Sequence, residues 1–133
     1  MIKGRTLKRT RKYINSKNVP SIPPLNHAVS IGELVFVSGQ VGLGHDGEVP
    51  KHFCEEVENA FNALEQVLTA AGSSPEHLVK VTCYLSDISN RDELNELYMN
   101  RFPEPRPART TVEVGLANDL RFEIDAIATC IPE

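Results

Sequence analysis

Pro107-Ala108-Arg109-Thr110-Thr111-Val112-Glu113-Val114 and, a short interval later, Phe122-Glu123-Ile124-Asp125-Ala126-Ile127-Ala128 are the stretches that decide the fold. Both alternate, and a period of two is the mark of a strand with one face buried. In Arg109–Leu116 the apolar set is Val112, Val114 and Leu116, against Arg109, Thr111 and Glu113 on the opposite face. In Arg121–Ile131 the apolar set is Phe122, Ile124, Ala126, Ala128 and Cys130, against Glu123 and Asp125. Ala117–Leu120 reads as the turn joining them in a hairpin. Strict hairpin register does not set Glu123 opposite Arg109, though a bulge could.

Upstream lies Pro103-Glu104-Pro105-Arg106-Pro107, a stiff polyproline-like connector. A helix over about Asn90–Phe102 precedes it, with Leu94, Leu97, Tyr98 and Phe102 on its inner face and Ser89 with Asp92 as a capping pair. Leu78–Asp87 alternates and predicts a strand, and Ser74-Pro75 opens a single turn before it. In about Cys54–Ala71, apolar residues from Phe53 to Ala71 recur at three- and four-residue steps, and Gly72 follows where a helix-ending glycine belongs. Asp46-Gly47 marks a tight turn. His27–Ile31 and Leu34–Val41 read as strands around Gly32-Glu33, and Leu34–Val37 is apolar on both faces, as in a central strand. Val19–Pro24 is an extended, proline-fixed lead-in. The order of strands, helix, strand, helix and two strands predicts an α+β domain: a mixed sheet with two helices on one face.

The 133 residues suffice for one domain, 1–133, of ordinary composition, 41% hydrophobic and 24% charged. No apolar run approaches the roughly 18 residues of a membrane span, and no signal peptide opens the chain. Three cysteines without a paired spacing argue for free thiols and a reducing, cytoplasmic setting, with Cys83 and Cys130 as core thiols. The net charge of −4 is uneven: residues 1–32 hold seven basic and no acidic side chains. The stretch 1–12 is expected to be a basic arm or an edge strand. An arm of this kind can also meet nucleic acid or address an organelle. Tyr13 alone offers no series of stacking platforms, so nucleic acid is not an expected partner.

A guanidinium on a strand behind a rigid connector suits a carboxylate or phosphate, which singles out Arg109. The alternative is an ion pair with Glu113, Glu123 or Asp125. Glu123 and Asp125 share a strand face and could support acid–base work, or simply form a solvated face. In Ser38-Gly39-Gln40, Gly39 lets a ligand approach the backbone. Ser38 lacks the surroundings of a nucleophile. Gly42, Gly44 and Gly47 lack the ending of a phosphate loop. His52 with Cys54 is one metal-like pair without a second, so no metal is expected.

Taken together, the two quoted stretches resemble the C-terminal signature of the Rid family (reactive intermediate deaminases, also called YjgF or L-PSP proteins). Ile14–Pro20, Leu34–Gln40, Gly47–Pro50, Ala70-Ala71-Gly72 and the Asn95, Tyr98 pair are similar to further family segments, in order and in register. The resemblance implies a chorismate-mutase-like α+β fold and a homotrimer with clefts between subunits. It implies hydrolysis of 2-imino or 2-enamino acids to 2-keto acids and ammonia, with neither cofactor nor metal. Arg109 would hold the substrate carboxylate, Glu123 would orient or activate water, and the Gly39 N–H would assist. Ser38, Asn95 and Thr111 would line the pocket, with Thr111 where many relatives carry Cys. Leu25 stands where imine deaminases of the family carry a pocket Tyr, and His27 could offer a replacement polar group. That departure keeps open a specialised aminomuconate-type enamine deaminase and a non-catalytic binder or sensor of small carboxylates. RNA binding or cleavage, also proposed within the family, would rest on the basic arm.

Overall fold

Phe122, Ile124, Ala126 and Ala128 are all buried, and a strand with so regular an apolar face belongs in the middle of a sheet. The computed structural model describes residues 10–21 and 24–131. Most of the basic arm, and Ile22 and Pro23 of the lead-in, lie outside the described residues. The strands are β1 (Lys12–Ile14), β2 (Ala28–Ile31), β3 (Leu34–Val41), β4 (Leu78–Leu85), β5 (Ala108–Glu113) and β6 (Phe122–Thr129). They form one six-stranded sheet in the order β1-β2-β3-β6-β4-β5.

β6 pairs antiparallel with β3 and β4, whereas β5 pairs parallel with β4 at the sheet edge. The expected hairpin of the last two strands is therefore absent, because β4 lies between them. The helix after β4 carries the chain across the sheet, so β5 returns parallel to β4, as such crossovers do.

The helices α1 (Phe53–Ala70) and α2 (Arg91–Arg101) cover one face. The α1 stripe of Phe53, Val57, Ala60, Phe61, Leu64, Val67 and Leu68 is buried, each large side chain contributing about 1.5–3 kcal/mol. The helix ends as the sequence predicts: Gly72 takes φ 73° and Ser73 N–H donates to the Leu68 carbonyl at 2.8 Å. Gly42 brings β3 so close to α1 that a Cβ there would lie 1.8 Å from the Glu56 carbonyl oxygen. At α2 the expected Ser89/Asp92 box does not form. A 3-10 turn (Ile88–Asn90) leads in, and Asp87 accepts from both Ser89 N–H and Ser89 Oγ, a local bond that short acidic side chains favour at turns. The proline connector is bent rather than continuously extended, and its Glu104–Pro105 peptide is cis.

Val35 and Val37 point into the core, while Leu34 and Phe36 remain 41% and 42% exposed on the face that carries no helix. By register, Tyr13, Val29, Phe36 and Ile127 lie on that same open face. Cys83 is fully buried and Cys130 packs against the core from a partly buried position, as expected; all three cysteines are free.

Candidate active site

β5 sets Arg109 beside Val81 and Thr111 beside Cys83. Paired residues point to the same side of a sheet, and Val81 and Cys83 are buried under the helices. Arg109 and Thr111 therefore face α2, and the face expected for β5 is inverted. Alternation alone would have sent Ala108 and Val112 inward; the parallel register with β4 and the partners on α2 override it. The Arg109 guanidinium lies 4.7 Å from the Tyr98 ring centroid and donates through Nη2 to Asn95 Oδ1. One turn of α2 thus supplies both contacts, since positions three apart share a helix face. Among the described residues Arg109 makes no salt bridge, so none of the three anticipated carboxylates neutralises it.

Around this cation lie two buried hydroxyls without hydrogen-bond partners, Tyr98 Oη and Thr111 Oγ1. Burial pushes the Cys83 thiol up to about 12, with Arg109 partly opposing. Burial likewise pushes the Tyr98 hydroxyl up to about 12, and the Arg109 and Arg106 charges oppose it. Both groups stay protonated at neutral pH, which leaves the guanidinium as the charge of this half of the site.

The second half lies where β3 meets β6. Their register slips between Val37 and Gln40, which places Ser38-Gly39 in a bulge, a device that re-aims side chains at functional sites. The Glu123 carboxyl fills the space that a side chain at Gly39 would need: a Cβ there would lie 2.1 Å from Glu123 Oε2. Burial, then the neighbouring Asp125 charge, raises Glu123 above the usual carboxylate range. Asp125 accepts from the Tyr84 hydroxyl at 2.7 Å, a bond that pushes Tyr84 up to about 12. Ser38 Oγ donates to the Asn26 carbonyl at 2.6 Å and Ser38 N–H to the His27 carbonyl at 2.9 Å. These bonds tie the bulge to the segment that carries Leu25, itself 46% exposed.

His27 is not available as a pocket group. Its Nδ1 accepts from Ser16 N–H at 3.0 Å and its Nε2 lies 2.9 Å from the Pro20 carbonyl, so both ring nitrogens are engaged with the lead-in segment.

The chain therefore brings together Arg109, Asn95 and Thr111 in one group, and Ser38, Gly39 and Glu123 in another. It does not bring the two groups together. Arg109 is level with Val81 and Glu123 with Tyr84, three positions apart along β4 and hence on opposite faces. An open depression of about 520 Å³, lined by Leu43, Pro50, Asn118 and Arg121 among others, holds none of these residues.

Sequence reasoning missed Glu56. This fully buried carboxylate accepts from Arg121 Nε at 2.7 Å, Arg121 N–H at 2.8 Å and Phe122 N–H at 3.2 Å. It thereby fixes the entry to β6 immediately before Glu123. The signal was present: Glu56 falls within the apolar stripe of α1.

The family model described as Endoribonuclease L-PSP matches residues 16–130. Over 119 residues the chain is 42% identical to the protein named mmf2, mitochondrial, of Schizosaccharomyces pombe, spanning 86% of this chain and 94% of that one. It is 37% identical over 122 residues to the 2-iminobutanoate/2-iminopropanoate deaminase of Mus musculus, spanning 89% of this chain and 90% of that one. The crystal structure of RidA from an Antarctic Psychrobacter aligns with a TM-score of 0.84 at 30% identity, over 89% of this chain and 98% of that one.

Proposed function

The chain belongs to the Rid family, the group that the L-PSP model describes, and from that premise we propose that it hydrolyses 2-imino or 2-enamino acids to 2-keto acids and ammonia. The observation that carries this reading is Arg109: a partly buried guanidinium, oriented by Asn95 and Tyr98, with no carboxylate partner among the described residues. Such a fork awaits an anion and grips a carboxylate in two-pronged fashion. Residues of the second half supply the rest. The Gly39 N–H steadies the ligand, and Glu123 handles water and protons. Ser38, Thr111 and Leu25 shape the walls.

An iminium carbon is already electrophilic, so position and proton transfer suffice. Water attacks C2, the C=N π pair moves onto nitrogen, and a water proton passes to the Glu123 carboxylate. Glu123 returns that proton to the amine of the carbinolamine. The C–N bond then breaks with its electron pair leaving on ammonia. The carbinol O–H electrons form the C=O, and the released proton makes ammonium.

The two halves meet when copies of the chain associate, Arg109 of one facing Glu123 of another, in a homotrimer held by the open sheet face. The apolar Leu34, Phe36 and Tyr13 on that face support this. The compartment is a reducing one. Cytoplasm and mitochondrial matrix both meet that condition, and the mmf2 relative carries a mitochondrial name.

The test is ammonia release from imines generated in situ by an amino-acid oxidase. Arg109→Ala and Glu123→Gln are expected to lose at least roughly 100-fold in kcat/KM. Equal rates with and without the protein, across small, branched and aromatic imines, would sink the general deaminase reading. The exposed, aliphatic Leu25 favours a second reading, a non-catalytic binder of small carboxylates. It predicts that 2-keto acids raise the melting temperature without turnover.

A further inference from the structure

We propose that Asp125, anchored by the Tyr84 hydroxyl, is a positioning residue for the reaction: it fixes a negative charge beside Glu123 and so fits Glu123 to carry the proton that deamination passes from water to nitrogen. The inference rests on the deaminase reading and deepens it.

The geometry has three parts. Glu123 and Asp125 stand two residues apart on the open face of β6, roughly 7 Å along the strand. Tyr84 is the β4 residue opposite Glu123, yet its hydroxyl reaches diagonally to Asp125 Oδ2 at 2.7 Å. The Glu123 carboxyl meanwhile packs onto Gly39. One acid is thus held by a donor, while the other lies against a backbone that offers no side chain. A like charge nearby disfavours ionisation of a carboxyl. The Tyr84 bond fixes where the Asp125 carboxyl stands, and Glu123, packed onto Gly39, is left as the group that carries the proton. The direction for Glu123 agrees: it is raised by burial first and then by the Asp125 charge.

The surrounding groups do not cancel this. β3 presents Gly39 and Val41 to Glu123, neither of them titratable. From β4 come Tyr84, which remains a donor, and Lys80, whose Nζ is engaged by the Val81 carbonyl and Thr110 Oγ1 at 3.0 and 2.9 Å. In the proposed assembly Arg109 of a second copy also faces Glu123, and the substrate carboxylate neutralises it when bound.

The experiment follows the Glu123 side-chain carboxyl by carbon-13 NMR titration in the full chain, assigned with Glu123→Gln. Asp125→Asn keeps an acceptor for Tyr84 and removes the charge. It is expected to lower the Glu123 midpoint by the order of one pH unit. The acid limb of the kcat/KM profile for ammonia release should move the same way. Asp125→Glu is expected to restore both toward wild type, and Tyr84→Phe, which frees Asp125 to turn toward solvent, to shift both partway. An unmoved midpoint in Asp125→Asn overturns the proposal, as does a moved midpoint with a stationary rate profile. A wild type that releases no ammonia from any imine overturns instead the deaminase reading beneath it, and the titration distinguishes the two failures.

Discussion

Gly39 and Glu123 occupy each other's space, and this decides what a methyl group does at position 39. A Cβ there would fall 2.1 Å from Glu123 Oε2 and 2.7 Å from its Cδ. What it meets is the far end of a flexible side chain, so the carboxyl swings away and the backbone stays. Gly39→Ala should therefore keep its melting temperature within a few degrees, a cost of about 1 kcal/mol. It should lose roughly 100-fold in ammonia release; full activity in this variant would detach Glu123 from the site. Glu123 also carries a pH signature. A carboxyl raised in the fold contributes stability that is complete below the ordinary carboxylate range and is lost as pH rises through its folded value. Glu123→Gln should thus melt with wild type near pH 4 and about 1–2 °C above it near pH 8, a small gap because the group is partly hydrated. Scanning calorimetry at both pH values checks this, and the opposite order would mean that Glu123 is stabilised as the anion. The sequence marked Arg109 and Glu123 by residue type and by resemblance. It could not mark the Tyr98 ring as the bed for Arg109, because an aromatic on the inner face of a helix reads first as core.

Elements were legible wherever one face of a helix or strand is purely apolar. The β6 alternation, the α1 stripe and the Gly72 stop all lie where the pattern places them, within a residue or two. Pairing was not legible. The apolar residues of β5, Ala108 and Val112, lie on the face away from the helices, so its orientation came from the α2 crossover and the register with β4, which no local pattern encodes. The link between α1 and β6 was equally hidden, since Glu56 and Arg121 are 65 residues apart in the chain. Glu56→Ala removes the acceptor of two backbone N–H groups and of the Arg121 guanidinium. Arg121 is 29% exposed and can rehydrate in part, so the expected loss lies near the lower end for a broken buried pair, about 3 kcal/mol. Urea unfolding should show a lower midpoint with an unchanged slope. Glu56→Gln, which still accepts through its carbonyl oxygen, should lose less. Wild-type stability in Glu56→Ala would mean that the entry to β6 is fixed by other contacts.

At the scale of the molecule, one chain holds Arg109 and Glu123 on opposite faces of one sheet, so the centre proposed above would need more than one copy. The same sheet leaves Leu34, Phe36 and Tyr13 41–57% exposed on the face without helices, where burying each would contribute about 1.5–3 kcal/mol. In the proposed homotrimer both features find a use: the apolar area would supply the association, and association would supply the missing half. Phe36→Lys places a charge in the middle of this area without touching Arg109, Glu123 or the helix-covered core. If the proposed homotrimer forms, the substitution should leave the far-ultraviolet circular dichroism spectrum unchanged and reduce the mass measured by sedimentation from the three-chain to the single-chain value. Ammonia release should fall with the mass and return at protein concentrations high enough to restore the assembly. A single-chain Phe36→Lys that turns over at the wild-type rate would show that Arg109 and Glu123 need not meet across copies, and the half-site reading would fail with it.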